Sequence, residues 1–216
     1  MQRERSVVFF LVGGVVLFVP GLLMVLNTEQ LALHAWINAR HLPWADILFR
    51  YGTHLADGLV PTVLSLLLLG KDLRSFLMMG LSCGFSAIIT QLLKRQVFDG
   101  HDRPAMFRAE LGEMDWVSGL ELNNHFSFPS GHATAALAMC FALAVIIGKP
   151  RWSWVMIALA GLLAFSRVYL SQHFTEDILA GAVIGTVTAW AVYRWLYISA
   201  FSERLFLDRS IFKRKQ

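Results

Sequence analysis

The twenty residues Val7–Leu26, VVFFLVGGVVLFVPGLLMVL, contain no charge and no strongly polar side chain. At about 1.5 Å per residue a helix of that length covers about 30 Å, the thickness of a bilayer's hydrocarbon core. The run is longer than the apolar core of a secretory leader, and no small-x-small cleavage pattern follows it, so it reads as an uncleaved first span. Further uncharged runs follow at Ser75–Leu93, Ser130–Gly148, Trp152–Ser166 and Ile178–Tyr193. The last extends to Ala200 when Arg194 snorkels to the headgroups. A sixth segment, Thr53–Gly70, carries His54 and Asp57 at its start. That leaves only Gly58–Gly70 wholly uncharged, a length that also suits a buried or re-entrant segment. The expected fold is all-α, a six-transmembrane-helix bundle forming a single domain over residues 1–216.

Composition agrees, because 56% of the 216 residues are apolar and 16% charged, against about 45–50% and about 25% in soluble domains. Disorder, collagen-like repeats and a disulfide-stapled secreted scaffold are excluded on the same ground. Cys83 and Cys140 lie inside apolar runs, where cysteine acts as a small buried hydrophobe.

Short cytoplasmic loops are enriched in lysine and arginine. The termini and even connections hold Arg3, Arg5, Lys71, Arg74, Lys149, Arg151, Arg204, Arg209, Lys213, Arg214 and Lys215; the odd loops hold Arg40, Arg50, Lys94, Arg95, Arg103 and Arg108. Eleven against six, in less loop length, puts both termini in the cytoplasm. The expected setting is a bacterial inner membrane with the other face periplasmic. The basic tail, about residues 201–216, then lies against an anionic inner leaflet and serves as a topology signal rather than a nucleic-acid contact. Leu31–Arg50 is too polar to span, yet spaces Leu33, Trp36, Ile37, Trp44, Ile47 and Leu48 among charges, as an outer-face interfacial helix does. A long loop, Lys94–Phe128, joins the third and fourth spans and carries Asp99, Asp102, Glu110, Glu113, Asp115 and Glu121.

Ionisable groups at the edge of a membrane domain are functional candidates. Lys94 and Arg103-Pro104 follow the third span, Phe128-Pro129-Ser130-Gly131-His132 opens the fourth, Ser166-Arg167 ends the fifth, and His173 and Asp177 precede the sixth. In the topology above all four clusters meet at the outer face. A proline, a capping serine and a glycine that admits close backbone approach build an anion site at a helix N-terminus, although the same residues also make a plain N-cap. His173 and Asp177 are four apart, so a carboxylate can accept the imidazole N–H and fix its tautomer, as can an ordinary surface pair. Arg167 is suited to clamp a phosphate with two parallel bonds, and Lys94 and Arg103 can add positive charge or snorkel. His101, Asp102, His125, His132 and His173 include no pair at zincin spacing, so no metal ligand set is assigned. His34, His41 and His54 stand singly and are given no role.

Together, Phe128-Pro129-Ser130-Gly131-His132 and Ser166-Arg167-x5-His173-x3-Asp177 closely resemble the second and third signature motifs of the type-2 phosphatidic acid phosphatase family, which also includes vanadium haloperoxidases and glucose-6-phosphatases. The first motif departs from the pattern: Lys94 and Arg103-Pro104 enclose eight residues where the family usually places about six. Either the loop carries an insertion, with Lys94 keeping the lysine's place, or Arg95 or another group does its work; Lys94 is the choice made here. The resemblance implies that His173 attacks phosphorus, Asp177 orients it and His132 protonates the leaving oxygen. Lys94, Arg103, Arg167, the Ser130 hydroxyl and the Gly131 amide would hold the phosphate oxygens, with no cofactor or metal. The expected activity is hydrolysis of a lipid phosphate or diphosphate at the outer interface, with membrane lipids as partners and no nucleic acid. A lipid phosphotransferase would use the same residues. A non-catalytic transporter or binder of anionic lipid would need neither histidine.

Overall fold

The computed structural model describes residues 1–114 and 116–210. Asp115 and the end of the basic tail, residues 211–216 with Lys213, Arg214 and Lys215, lie outside the described residues. Every regular element among the described residues is helical. Val7–Leu26 sits within one continuous helix, α1 (Gln2–Asn27), which keeps Pro20 inside it.

The polar stretch after α1 forms two helices rather than one. α2 (Gln30–Asn38) starts where the Glu29 carboxylate accepts the Ala32 N–H at 2.9 Å. It stops before Pro43, which supplies no N–H and instead opens α3 (Pro43–Gly52) at a first-turn position. The expected span Thr53–Gly70 is likewise divided, into a 3₁₀ turn at Thr53–Ala56 and a ten-residue helix, α4 (Leu59–Leu68). At 1.5 Å per residue α4 is about 15 Å long, half of what a bilayer core requires.

α5 (Leu73–Gln96) is capped by the Asp72 carboxylate on the Ser75 N–H. The following connection contains a 3₁₀ turn at Pro104–Phe107 and the single-turn helix α6 (Arg108–Leu111). α7 (Gly131–Ile147), α8 (Pro150–Tyr169) and α9 (Thr175–Tyr197) complete the bundle. By length and composition, α1, α5, α8 and α9 are, among the described residues, the four helices able to cross a membrane. With such helices the chain is an integral, multi-pass membrane protein.

α7 is the axis of the bundle. It is apolar on every side and rich in alanine, and α1, α5, α8 and α9 pack around it, the position such a helix requires. Its closest neighbour is α9. A Cβ added to Gly185 would stand 2.3 Å from the Thr134 carbonyl oxygen, and one on Gly181 2.5 Å from that of Ser130. Two glycines four apart thus let the backbones touch, the packing mode that replaces hydrophobic driving force inside a bilayer. Their contact brings the N-termini of α7 and α9 side by side, with the Ser130 N–H donating to the Asp177 carbonyl at 3.0 Å.

The segment after α9 does not trail away as a free tail over its first part. Two 3₁₀ turns, Ala200–Glu203 and Leu205–Asp208, fold back so that Leu207 is buried and Asp208 pairs with Arg74 at 2.9 Å.

Candidate active site

α8 and α9 are joined by a five-residue connection, Leu170–Phe174. The Gln172 and His173 amides both donate to the Arg167 carbonyl, at 2.8 and 3.1 Å, so Arg167 and His173 share one hairpin. Ser171 takes positive φ at its tip. α9 then starts on Asp177, whose Oδ2 accepts the Phe174 N–H at 2.9 Å. The same oxygen lies 3.2 Å from His173 Nδ1 and accepts a short hydrogen bond from the Ser127 hydroxyl. Ser127 Oγ is also 3.4 Å from His173 Nδ1. With Nδ1 facing a carboxylate, the imidazole carries its proton there and leaves the Nε2 lone pair open.

His173 is buried, and its pKa is pushed well below the ordinary 6.5. Burial is the main cause, followed by the positive charges of Arg103, Lys94, Arg167 and His132. Four separate elements bring those charges to one imidazole. Lys94 arrives from the last turn of α5 and is itself buried. Its longer spacing from Arg103 therefore does not keep the two apart.

Arg103 is held by the loop rather than by α5. Its Nε donates to the His125 carbonyl at 2.9 Å, Nη1 to the Gln172 carbonyl at 3.2 Å and Nη2 to the Phe126 carbonyl at 3.4 Å. The loop ends are tied together by Arg103 N–H to Asn124 O and Ser127 N–H to His101 O, each 2.8 Å.

Arg167 is buried, with Nη1 donating to Thr53 Oγ1 at 2.9 Å, while its Nε is buried with no partner among the described residues. An unpaired guanidinium N–H in such a place costs free energy until an acceptor arrives. Ser130 caps α7, its Oγ accepting the Ala133 N–H at 3.4 Å, which leaves the hydroxyl proton available. A Cβ on Gly131 would meet nothing within 4 Å, so the helix N-terminus faces open space. His132 Nε2 lies 2.7 Å from Asp57 Oδ1.

All eight sequence-derived site residues thus gather at the end of the bundle formed by the α7 and α9 N-termini. Four further groups join them without having been singled out: Ser127, Gln172, Thr53 and Asp57. For Asp57 the signal was present, since an ionisable residue heads an apolar run; it reads as a flaw in a span until the fold brings it to His132. His54 shares Asp57 with His132, at 2.7 Å, while three other histidines have separate partners. His125 pairs with Asp102 at 2.6 Å in the open, His41 with Asp46 at 3.0 Å, and His34 is buried edge-on against Phe174.

Apolar spanning helices closed at one end by a cationic pocket around a His–Asp pair define a class of polytopic membrane protein. Residues 75–200, more than half of the chain, match the PAP2 superfamily. The chain belongs to that superfamily. A lipid A 1-phosphatase of Rhizobium johnstonii is 34% identical over 106 residues, 49% of this chain and 40% of the relative. An undecaprenyl-diphosphatase of Sulfolobus acidocaldarius is 36% identical over 62 residues, 28% of this chain and 29% of the relative. The chain therefore spans well under half the length of these two relatives. In fold it resembles the crystal structure of Aquifex aeolicus LpxE, with a TM-score of 0.68 and 23% identity over 79% of this chain and 98% of the other.

Proposed function

We propose that the chain is a lipid-phosphate phosphatase working through a phosphohistidine. The observation that carries this is His173: buried, its Nδ1 held beside Asp177, and set among Lys94, Arg103 and Arg167. Its neutral Nε2 attacks phosphorus, forming a P–N bond as the P–O bond to the leaving group breaks. Asp177 stays ionised and balances the charge that develops on the ring. His132 gives its proton to the departing oxygen. Water then attacks the phosphohistidine, His132 takes the water's proton, and the P–N bond breaks to release phosphate and neutral His173.

Lys94, Arg103 and Arg167, with the Ser130 hydroxyl and the Gly131 amide, hold the oxygens of the transferring group. Donors fixed in place before the reaction need no reorganisation when charge shifts, the main source of stabilisation for such a transition state. Two helix N-termini pointing the same way add to the positive potential.

An amphiphilic substrate follows from a pocket that opens at the end of an apolar bundle, and the printed names of the relatives, lipid A 1-phosphatase and undecaprenyl-diphosphatase, support it. Six spans, with α7 and the whole Thr53–Gly70 segment counted as the shorter two, and a periplasmic site complete the reading; the excess of Lys and Arg at the opposite end supports that orientation.

The test is phosphate release by detergent-purified protein from lipid mono- and diphosphates, with chelator present and His173→Ala alongside. Chelator-resistant release that vanishes in the variant is expected. No release from any lipid, or undiminished release by His173→Ala, overturns the reading.

A further inference from the structure

Asp57 bridges two imidazoles. Its Oδ1 lies 2.7 Å from His132 Nε2 and its Oδ2 2.7 Å from His54 Nδ1. Four residues earlier in the same turn, Thr53 Oγ1 accepts from Arg167 Nη1. One short segment, Thr53–Asp57, therefore reaches across the pocket to two of its residues, 75 and 114 positions away in the chain. It lies outside residues 75–200, the stretch that matches the superfamily. An exposed ion pair of this kind is usually worth little. This one differs, because one partner is the histidine to which the proposed mechanism assigns both proton transfers.

We propose that Asp57 is the positioning residue of the acid–base histidine, as Asp177 is of the nucleophile. The inference rests on the phosphatase reading. Asp57 accepts the His132 Nε2–H, which fixes the tautomer and turns Nδ1 toward the substrate. Asp57 Oδ1, 2.7 Å from Nε2, opposes the burial and the Arg167 and Arg103 charges around the same ring. In the first step the P–O bond breaks and the leaving oxygen takes the Nδ1 proton. In the second, Nδ1 takes a proton from the attacking water. Asp57 stays ionised throughout, and His54, whose side chain is 65% exposed, holds the second carboxylate oxygen.

The decisive experiment varies the leaving group. A poor alkoxide leaving group needs protonation and a nitrophenolate does not, so a defect in the acid is repaired by the aryl substrate. For a lipid phosphate with an alkyl leaving group, Asp57→Asn is expected to lower kcat/KM about 10- to 100-fold. On a nitrophenyl phosphate monoester carrying an alkyl chain on its ring the loss should shrink to within a few-fold. The alkaline limb of the rate profile should move to lower pH, because the one carboxylate that favours the protonated His132 ring is gone. KM should barely change. Adding Asp57→Asn to His132→Gln should cost nothing more if Asp57 acts through His132.

Wild-type behaviour of Asp57→Asn on the alkyl substrate overturns the proposal, as does a rate above wild type, which would make the contact inhibitory. Equal loss on both substrates at an unchanged melting temperature, or fully multiplicative losses in the double variant, also overturns it. If Asp57→Asn does not fold, Asp57→Glu goes through the same substrates and must keep the wild-type alkaline limb. Wild-type protein inactive on both substrates defeats the phosphatase reading itself and this inference with it; active wild type with an indifferent Asp57 defeats only this inference.

Discussion

The two ends of the bundle use their cations in opposite ways. At the end carrying the α1 N-terminus, Arg3 Nε donates to the Val145 carbonyl at 3.0 Å and Lys71 Nζ to the Ile146 carbonyl at 3.3 Å. Arg74 joins Asp208, the Leu196 carbonyl and the Ser202 carbonyl. These side chains cap the last turns of α7 and α9, where the backbone carbonyls have no helical partner and the dipole is negative. At the other end, Lys94, Arg103 and Arg167 are crowded round His173 and the N-termini of the same two helices. There the dipoles are positive too, and Asp177 is the acid in contact with the imidazole. Cations that complement a helix end are structural; cations that reinforce one make sense only with an anion between them.

That contrast can be broken or sharpened in order of expected effect. His173→Ala should lower phosphate release by about 10⁴-fold or more, while Asp177→Asn keeps the nucleophile with poorer alignment and retains a measurable residue; steady-state release assays check both. Arg167→Ala should cost about 10²–10³-fold in rate and weaken inhibition by inorganic phosphate, because the clamp serves ground and transition states alike. Phosphate inhibition unchanged in that variant would remove Arg167 from the pocket. Gly185→Leu touches neither end, yet must push α9 off the Thr134 carbonyl. A displacement of about 1 Å at the site is enough for a loss of about 10²-fold, with a lower melting temperature in detergent.

Acid should act on both stability and rate. His173 lies well below 6.5, and His34 is pushed down to about 4 by burial, the nearby Asp177 only partly opposing this. An unfolded chain takes up these protons first, so stability is fully present above pH 6.5 and falls as the pH drops toward 4. Melting curves between pH 8 and 4.5 should show that slope, and His34→Gln should flatten it. The acid limb of kcat/KM should lie below 6.5, since the nucleophile stays neutral there. The smallest effects belong to the opposite end: Arg3→Gln or Lys71→Gln should leave turnover within about twofold and cost about 1 kcal/mol, the worth of a cation on a helix C-terminus.

The helical class, the long apolar runs and the four site clusters are legible in the chain because each depends on local composition or on spacings of a single turn. What stayed hidden depends on contacts between distant elements. The Leu31–Arg50 stretch reads as one amphipathic helix, but Pro43 divides it, and the hydrophobic pattern does not register the break. Thr53–Gly70 reads as a marginal span because hydropathy treats Asp57 as a defect; only the packing of the turn against α7 and α8 makes it a partner of His132. Ser127 had no motif of its own beyond lying one residue before Phe128. Its place beside Asp177 depends on the loop being pinned to His101.

That pinning bears on how such sequences are compared. Arg103 is located by three carbonyls, those of His125, Phe126 and Gln172, none of them near it in the chain. The number of residues separating it from Lys94 is therefore slack, like rope between two moorings. A search that counts that interval measures a quantity the fold does not control.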